Sequence, residues 1–522
     1  MPRNDDMSLR LAKAAQNGFF PKVAENEINL LIKEAGELFD DDSIFVSGPD
    51  ISVVGDSLNA QGGSTGENPG GFLAKYIDQT VYVDAVGGEG STAIVARQGG
   101  NPYHVYPANG IIPESGPVTI TVTSNPAGSW PLLQSNGNTS LGKVFAGKIA
   151  GVSGIISLVQ PSGSNVVHQG DDYYVFTRTT PGSAVAVSQP VAFYTDFAIA
   201  RRRDLMIIQA GRNSLAYPDQ VVADIKAAIN FLASGETRWL VVGVHNGTSE
   251  QNPSANYTNV ITLNAKLAEF AGRRFVDQRT YLIKYGLAES SIEPTANDLA
   301  DIAADTIPRS LLSDNVHYKI FTRRILGRLF ANRLIELGWV KDTGKTLLIS
   351  DTFDRADTNT LGPLWTGSTD FSIVSNRATR TSTSGTVVGI LAVDMPTPDI
   401  EVSAAITKGT AGTVGLVARY VDDNNLYGTR ISSTNGNMVI YRLQNGVVTA
   451  LTGMDNLFTV EGSTVRLTMK GNVYKIYVNE VLALTYTDPN PQFTDAKKVG
   501  IRCDSHATVR PKYENFTAQV AI

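Results

Sequence analysis

Residues 44–63 read IFVSGPDISVVGDSLNAQGG, a short β-type run that ends in the turn Gly55-Asp56-Ser57. The helical pattern GGFLAKYI follows at residues 70–77. A strand, a tight turn and a helix in this order predict the first unit of a parallel sheet covered by helices. Such a turn exposes the side chain of Ser57 and directs backbone N–H groups towards an incoming carbonyl group.

The same alternation of strand and helix returns after residue 203. Three apolar strands are joined and closed by amphipathic helices: DLMIIQAG at 204–211, RWLVVGVHN at 238–246 and RFVDQRTYLI at 274–283 are the strands. Ligands of parallel sheets bind outside the carboxyl ends of the strands. We therefore expect the turns at Ser57, at Gly87-Gly88 and at Gly211-Arg212-Asn213 to converge on one edge of the sheet.

Between the two halves of this pattern the helical signal is lost. Residues 101–198 contain the strand-like runs VTITVTS, GIISLVQPSG and DDYYVFTRTT, separated by turn residues. We predict an inserted β module here, with carbohydrate binding as its candidate role. Because the module follows the glycine turn at 87–88 in the chain, we expect it to emerge near the edge of the sheet that carries Ser57.

The last third of the chain, residues 345–522, alternates strands and turns and predicts a separate all-β sandwich. Its opening resembles that of concanavalin-like jelly-roll modules, in which Asp-x-Phe-x-Arg is followed by Leu-Gly and Trp. The matching residues are Asp351, Phe353, Arg355, Leu361, Gly362 and Trp365. The resemblance implies a carbohydrate-binding module or a structural appendage, and Trp365 fits a core position as well as a sugar contact.

Composition narrows the class of protein. The 522 residues exceed what one hydrophobic core usually organises, which favours two to four domains. A net charge of -6 without long basic runs gives no electrostatic basis for binding nucleic acid. A single cysteine, Cys503, excludes an internal disulfide and a cysteine metal site. The start of the chain lacks the apolar core of a signal peptide, and no run approaches the ~20 apolar residues of a membrane span.

A serine hydroxyl becomes a useful nucleophile only when a base takes its proton, and that base needs a third group to fix its tautomer. The five histidines are His104, His168, His245, His317 and His506. His317 alone has an aspartate three residues before it, Asp314 in SDNVHYK. On a turn, this spacing brings the carboxylate to one ring nitrogen and leaves the other free to face Ser57. His245, at a strand end, either lines the pocket or is a hydrogen-bonded structural residue.

Together VVGDSLN, the later glycine turn, QAGRN and SDNVH resemble the SGNH (GDSL) hydrolase family. The resemblance implies that Ser57 is the nucleophile, His317 the base and Asp314 its partner. It also implies an oxyanion hole built from Ser57, a glycine and Asn213, without a metal or another cofactor. The second motif fits the family loosely, so Gly88 matches the oxyanion glycine best and Gly87 and Gly90 remain alternatives.

The strand and helix patterns, together with the resemblance, predict an α/β fold class. Its core is an SGNH-hydrolase-like parallel sheet flanked by helices over residues 44–100 and 199–340. The inserted β module interrupts it at 101–198, and the jelly-roll sandwich follows at 345–522. Residues 1–43 predict a helical segment with one apolar face, formed by Ile28, Leu31, Ile32, Ala35, Leu38 and Phe39. That face packs either on the adjacent domain or on a partner such as a phage tail protein.

The combination of an esterase core, a β insert, a jelly roll and a short N-terminal helix resembles a bacteriophage tail spike or fibre. This implies a serine esterase that removes O-acetyl groups from a capsule or O-antigen polysaccharide, located in the virion tail and assembled as a homotrimer. One alternative is a secreted bacterial carbohydrate esterase. Another is a polysaccharide-binding adhesin with a vestigial hydrolase fold, against which the presence of Ser57, Asp314 and His317 argues.

Overall fold

The computed structural model describes most of the chain from Asp50 onwards. The described ranges are 50–62, 66–126, 131–135, 138–139, 144–161, 172–233, 236–367, 370–381, 385–410, 412–504 and 509–522. The predicted N-terminal segment 1–43, with its apolar face and its suggested contact with a partner, lies outside these residues.

Five strands pair in parallel to form one sheet. They are β1 (Ile51–Gly55), β2 (Val81–Ala85), β3 (Leu205–Gln209), β4 (Trp239–Val242) and β5 (Phe275–Val276), in the spatial order β5-β4-β3-β1-β2. The chain passes from β1 to its neighbour β2 on one side and later to β3 on the other. The connection therefore reverses direction beside β1, and a crevice for ligands opens at the carboxyl ends of strands at such a point.

Nine helices accompany these strands in the described residues. They are α1 (Ser57–Ala60), α2 (Pro69–Tyr76), α3 (Ser91–Gln98), α4 (Asp196–Ala200), α5 (Pro218–Phe231), α6 (Ala255–Ala271), α7 (Gln278–Glu289), α8 (Ala296–Ala303) and α9 (Ile320–Glu336). Alternate residues of β1 enter two different cores, since Val53 packs with α2, α7 and α9, whereas Val54 packs with α3, α5 and α6. Helices thus cover both faces of the parallel sheet, which explains why its strands are apolar throughout.

The region after α3 forms a separate antiparallel sheet. Its strands and the small ladders beside it are His104–Pro107, Ile111–Ile112, Pro117–Ser124, Gln134–Ser135, Asn138–Thr139, Val144–Ile149, Val152–Val159, Tyr173–Arg178, Val185–Ala186, Val191–Ala192 and Tyr194–Thr195. Gly99, at the end of α3, lies against Phe231, at the end of α5, and Tyr194 stacks on the same ring. Because α3 and α5 both begin at the edge that carries Ser57, these junctions lie at the opposite edge. The expectation that the insert emerges beside Ser57 is therefore wrong.

The last third of the described chain is a sandwich of two antiparallel sheets. The inner sheet contains Leu348–Asp351, Phe371–Ile373, Ala378–Arg380, Ile400–Thr407, Ser463–Lys470, Val473–Val478, Val481–Thr487 and Lys512–Val520. The outer sheet contains Trp365–Gly367, Val387–Leu391, Thr413–Asp422, Asn425–Ser432, Met438–Gln444, Val447–Met454 and Lys498–Cys503. Side chains of both sheets share one hydrophobic core. The other face of the inner sheet packs on α7 and α9, where Arg324 pairs with Glu401 and Ser291 with Ser403.

The predicted α/β class is wrong for the chain as a whole. Strands account for 37% and helices for 24% of the described residues, so the protein is mostly β. The physical reason is that only five short strands belong to the parallel sheet, whereas the insert and the sandwich are antiparallel throughout. Within the described ranges, no helix combines the length and the apolar character needed to cross a membrane.

Candidate active site

Ser57 lies at the junction of β1 and α1. The carboxylate of Asp56 caps α1 by accepting the N–H of Leu58 at 3.0 Å. Gly55, the residue before Asp56, has no room for a side chain, because a β-carbon there would lie 2.6 Å from the amide nitrogen of Asn59. That amide in turn donates to Gln209 at the end of β3, over 2.7 Å. These contacts fix the turn and leave the hydroxyl of Ser57 at the carboxyl edge of the sheet.

The structure brings Ser57, His317 and Asp314 into one hydrogen-bonded chain. The Oγ of Ser57 lies 2.9 Å from Nε2 of His317, and Nδ1 of the same ring lies 2.8 Å from Oδ2 of Asp314. The other carboxylate oxygen accepts the backbone N–H groups of Val316 and His317, each at 2.8 Å. Since a carboxylate only accepts, Nδ1 carries a proton and Nε2 of a neutral ring is left as the acceptor for the serine hydroxyl.

The charge on Asp314 is well stabilised. Partial burial raises the pKa of the carboxyl, but the N–H groups of His317 and Val316 and the ring of His317 outweigh this effect and lower the pKa to about 2. Asp314 is therefore ionised at neutral pH. Its side chain is 56% exposed and that of His317 is 33% exposed. The group of three lies in an open position at the surface, where a bulky substrate has access.

The other two predicted turns lie beside Ser57. A β-carbon on Gly87 would lie 3.7 Å from the β-carbon of Ser57, so this loop passes directly over the nucleophile. Gly88 has a φ of +78°, a left-handed conformation that favours glycine. Gly90 is the residue before α3. Which of the three donates an N–H group to an oxyanion stays a prediction.

Asn213 contacts the same glycine loop. It lies in the short helical turn Arg212–Ser214 after β3, and its amide donates to the carbonyl oxygen of Glu89 at 2.9 Å. A side-chain amide has two N–H groups, so one is left for a substrate oxygen. The buried guanidinium of Arg97 connects the glycine loop to β1, since it forms an ion pair with Glu89 at 2.8 Å and donates a hydrogen bond to the carbonyl oxygen of Gly55.

His245 has a structural position rather than one that lines an open pocket. It is fully buried, its Nε2 donates to the carbonyl oxygen of Val316 at 2.8 Å, and its Nδ1 accepts from the hydroxyl of Tyr318 at 2.7 Å. Burial lowers the pKa of this histidine to about 3, so the ring is neutral at physiological pH. His245 and Tyr318 therefore anchor the loop that carries Asp314 and His317.

Asp56 is the second unusual titratable group at the site. Its side chain is completely buried, and one carboxylate oxygen has no hydrogen-bond partner among the described residues. Burial raises the pKa to about 6, although the N–H of Leu58 and the charge of Arg212 act in the opposite direction. The carboxyl thus carries its charge at neutral pH at a cost in folding free energy.

Sequence reasoning missed the residues that hold the histidine loop in place. Gln61 accepts the backbone N–H of Tyr318 at 3.0 Å and so connects the serine turn to the histidine turn. Asn315 accepts the N–H of Ser249 at 3.0 Å, and its carbonyl oxygen accepts that of Thr248. The only signal in the sequence was the position of Gln61 four residues after Ser57, and that spacing alone does not identify a partner 257 residues away.

Other predicted features lie apart from this group. Trp365 belongs to the sandwich core, where its indole N–H donates to Asp351 at 2.8 Å and its ring contacts Phe353 and Phe516. His104 lies on a strand of the insert, whereas His168 and His506 fall outside the described residues. In the described part of the chain, no group of three or more His, Cys, Asp or Glu residues has the arrangement of a metal site.

No protein-family model matches the chain. The comparisons therefore do not support the expected membership in the SGNH (GDSL) hydrolases. A curated relative, the tail spike protein of Salmonella phage epsilon15, is 28% identical over 301 residues, which are 52% of this chain and 26% of the relative. The chain thus spans about a quarter of the length of the curated relative that it matches.

Several solved structures resemble about a third of the chain. They include the carbohydrate-binding module CBM66 from Bacillus subtilis, at 14% identity, with 33% of this chain and 94% of that one covered and a TM-score of 0.25. A β-glucanase of Bacillus licheniformis is 15% identical, with 33% and 97% covered and a TM-score of 0.26. The galectin LEC-6 of Caenorhabditis elegans is 12% identical, with 26% and 89% covered and a TM-score of 0.21. At such TM-scores the resemblance establishes neither fold nor function for this chain.

Proposed function

We propose that the protein is a serine esterase that removes O-acetyl groups from a bacterial surface polysaccharide, as part of a phage tail. The observation that carries the chemistry is the continuous hydrogen-bonded chain from Ser57 through His317 to Asp314. The hydroxyl of Ser57 is close enough to the ring of His317 for proton transfer, and the carboxylate of Asp314 is close enough to the ring for a hydrogen bond. An ionised carboxylate next to the ring stabilises the imidazolium that forms during the reaction.

In the first half of the reaction, the hydroxyl of Ser57 attacks the ester carbonyl carbon while Nε2 of His317 takes its proton. The tetrahedral intermediate collapses when the C–O bond to the sugar breaks, and the imidazolium gives its proton to the departing sugar oxygen. In the second half, His317 takes a proton from water as the water oxygen attacks the acetyl-enzyme. The bond between the acetyl carbon and Oγ then breaks, Oγ takes the proton back from the imidazolium, and acetate and free Ser57 are released.

The negative charge of each tetrahedral intermediate needs donors that are already in place. The N–H of Ser57 at the start of α1, the N–H of Gly88 and the amide of Asn213 are assigned to this task. The contact between Asn213 and the carbonyl oxygen of Glu89 supports the assignment, because it holds the amide against the glycine loop. Gly87 and Gly90 remain alternatives for the backbone donor.

The open position of the site supports a polymer as the substrate. Asp314 and His317 are both partly exposed, so a long chain has access to Ser57 without threading into an enclosed cavity. The similarity to a protein named tail spike supports the predicted location in the virion tail and action outside the host cell. It also supports polysaccharide recognition at the host surface as the general role, within which ester cleavage is our specific proposal.

The esterase proposal is tested with p-nitrophenyl acetate and an organofluorophosphate. We expect wild-type protein to hydrolyse the ester and to be inactivated by the phosphylating reagent, with the adduct on the peptide that contains Ser57. Ser57→Ala should lose both properties, whereas Ser183→Ala, a change in an exposed stretch of the insert, should keep both. A folded Ser57→Ala protein with wild-type turnover would remove the serine from the mechanism. Polysaccharide binding without any ester cleavage would favour an adhesin instead.

The assembly is a homotrimer in this proposal, as the resemblance to tail spikes implies. Repeated sites on one particle raise the effective concentration along a polymer without any new contact. Light scattering should report a mass near three times 55.9 kDa. A monomer at micromolar concentration would contradict the trimer while leaving the chemistry of Ser57 untouched.

A further inference from the structure

A groove lies between the N-terminal parts of α2 and α9 and the strands at one edge of the inner sheet. One wall consists of Phe72 in α2 and of Ile320 and Phe321 in the first turn of α9. The other wall is formed by the strands Ser463–Lys470 and Val473–Val478, and the space between the walls has a volume of about 520 Å³. Binding sites for small ligands typically have 300–1,000 Å³.

The groove begins next to the proposed active site. Ile320 follows His317 by three residues, so their Cα atoms are at most about 11 Å apart. The helices α2 and α9 both start at the edge of the parallel sheet that carries Ser57. A polymer bound in the groove therefore passes close to Ser57, in contrast to one bound at the junctions of the insert.

The strand register determines which side chains line the sheet side of the groove. In the pairing of the two strands, Arg466 is opposite Tyr477 and Thr468 is opposite Lys475. Residues two apart on a strand point to the same face, so Lys470 lies on this face as well. The guanidinium of Arg466 lies 3.8 Å from the centre of the Tyr477 ring. The groove thus combines an aromatic ring, a hydroxyl group and cations, a mixture that suits carbohydrate.

The cations of the groove differ in their pairing. Arg466 is neutralised by Glu401 and Glu480, at 3.1 Å and 2.7 Å. Lys470 and Lys475, by contrast, have no ion pair with an acidic side chain of the described ranges. Partial burial lowers the pKa of the neighbouring Lys75 on α2, and the charges of Arg324 and Lys470 act in the same direction, whereas that of Glu67, which also lines the groove, acts in the opposite one.

We propose that this groove binds acidic sugar units of the polysaccharide whose ester is cleaved at Ser57, with Lys470 and Lys475 contacting their carboxylates. The proposal rests on the proposed function, because it names the substrate class of the same site. Tyr477 and Phe321 supply the apolar surfaces against which sugar rings pack. A protein with a net charge of -6 repels polyanions in general, so the local pair of lysines gives the groove its selectivity.

The test measures binding to the full-length Ser57→Ala protein, in which no ester is consumed. The probes are oligomers of polygalacturonate, which are acidic, and dextran oligomers of equal length, which are neutral. The double variant Lys470→Glu/Lys475→Glu is compared with Lys497→Glu/Lys498→Glu, which makes the same change of charge elsewhere on the sandwich. Thermal unfolding of each variant controls for the fold.

We expect polygalacturonate to bind with a Kd that rises at least about tenfold in Lys470→Glu/Lys475→Glu, since two charge-assisted hydrogen bonds become repulsive contacts. The control pair should change the Kd less than about twofold, and dextran should bind more weakly than polygalacturonate. Equal weakening by both pairs, equal binding of both probes or no binding of the acidic probe would overturn the proposal. Lysine-dependent binding by a protein whose wild type cleaves no ester would refute the esterase and leave the groove as a glycan site.

Discussion

Replacing Asp314 with asparagine changes the proton on the catalytic histidine while preserving the turn. Oδ1 of Asp314 accepts two backbone N–H groups, and an amide oxygen in the same place accepts them equally well. The amide NH2 group then faces Nδ1 of His317, where the carboxylate oxygen had been at 2.8 Å. Two donors cannot share that contact, so the ring proton moves to Nε2, which can no longer accept the proton of Ser57.

We expect kcat for p-nitrophenyl acetate to fall by about 10⁴-fold in Asp314→Asn, as when the wrong histidine tautomer is imposed in other serine hydrolases. That loss corresponds to about 5.4 kcal/mol of transition-state stabilisation. Stopped-flow or long-time assays of p-nitrophenol release cover the range. Asp277→Asn is the matched control, because Asp277 caps α7 through an equivalent contact with Thr280 and follows β5, three strand positions from β1 in the sheet.

The result that would refute this reasoning is a folded Asp314→Asn protein with kcat within tenfold of the wild type. It would show that His317 keeps a basic Nε2 without the carboxylate. A loss of the same size in Asp277→Asn would mean that the assay reports fold rather than chemistry.

Three further changes test separate parts of the site. Asn213→Ala should lower kcat by about 10²-fold with little change in KM, because an oxyanion donor acts mainly in the transition state, and an effect on KM alone would place Asn213 in substrate binding. As the pH rises from 4 to 8, the free energy of unfolding of Asp56→Asn, measured with denaturant, should increase relative to that of the wild type by up to about 3 kcal/mol. The pKa of Asp56 is raised to about 6, so its stabilising contribution is complete below 3.8 and is lost as the pH rises through 6; a gap independent of pH would contradict the burial of its charge. His245→Gln should be less stable than the wild type at pH 7. On acidification from pH 7 to pH 4, however, its free energy of unfolding should fall by about 3 kcal/mol less than that of the wild type. The pKa of His245 is lowered from 6.5 to about 3, so its contribution is present above 6.5 and lost as the pH falls towards 3; parallel acid unfolding curves would refute this.

Local spacing in the sequence was sufficient to predict the pair of Asp314 and His317 and the exposed turn at Ser57. That these two segments meet across 260 residues was inferred from the position of strand ends in parallel sheets and from the family resemblance. A carboxylate three residues before a histidine reaches its ring across a single turn, and Asp314 and His317 have this geometry. A strand that ends in a tight turn presents the next side chain at the sheet edge, where Ser57 lies. Both inferences depend on contacts within a few residues, which local chain geometry controls.

Contacts between distant segments that no strand end or family motif marks were beyond sequence reasoning. The anchoring of Val316 by His245, over 71 residues, depends on how β4 and the histidine loop meet in three dimensions. The fold class failed because it was taken from the parallel sheet at 44–100 and 199–340, although the β insert and the sandwich, both predicted from their strand patterns, contribute most of the strands. The groove beside Lys470 exists only because the inner sheet packs on α9, and no pattern within either segment specifies that packing.

The central claim is tested most directly by measuring acetate released from an O-acetylated capsular or O-antigen polysaccharide, together with the length of the polymer. The account predicts that wild-type protein releases stoichiometric acetate and leaves the polymer length unchanged, and that Ser57→Ala releases none. Shortening of the polymer without release of acetate, or equal release by wild type and Ser57→Ala, would contradict it.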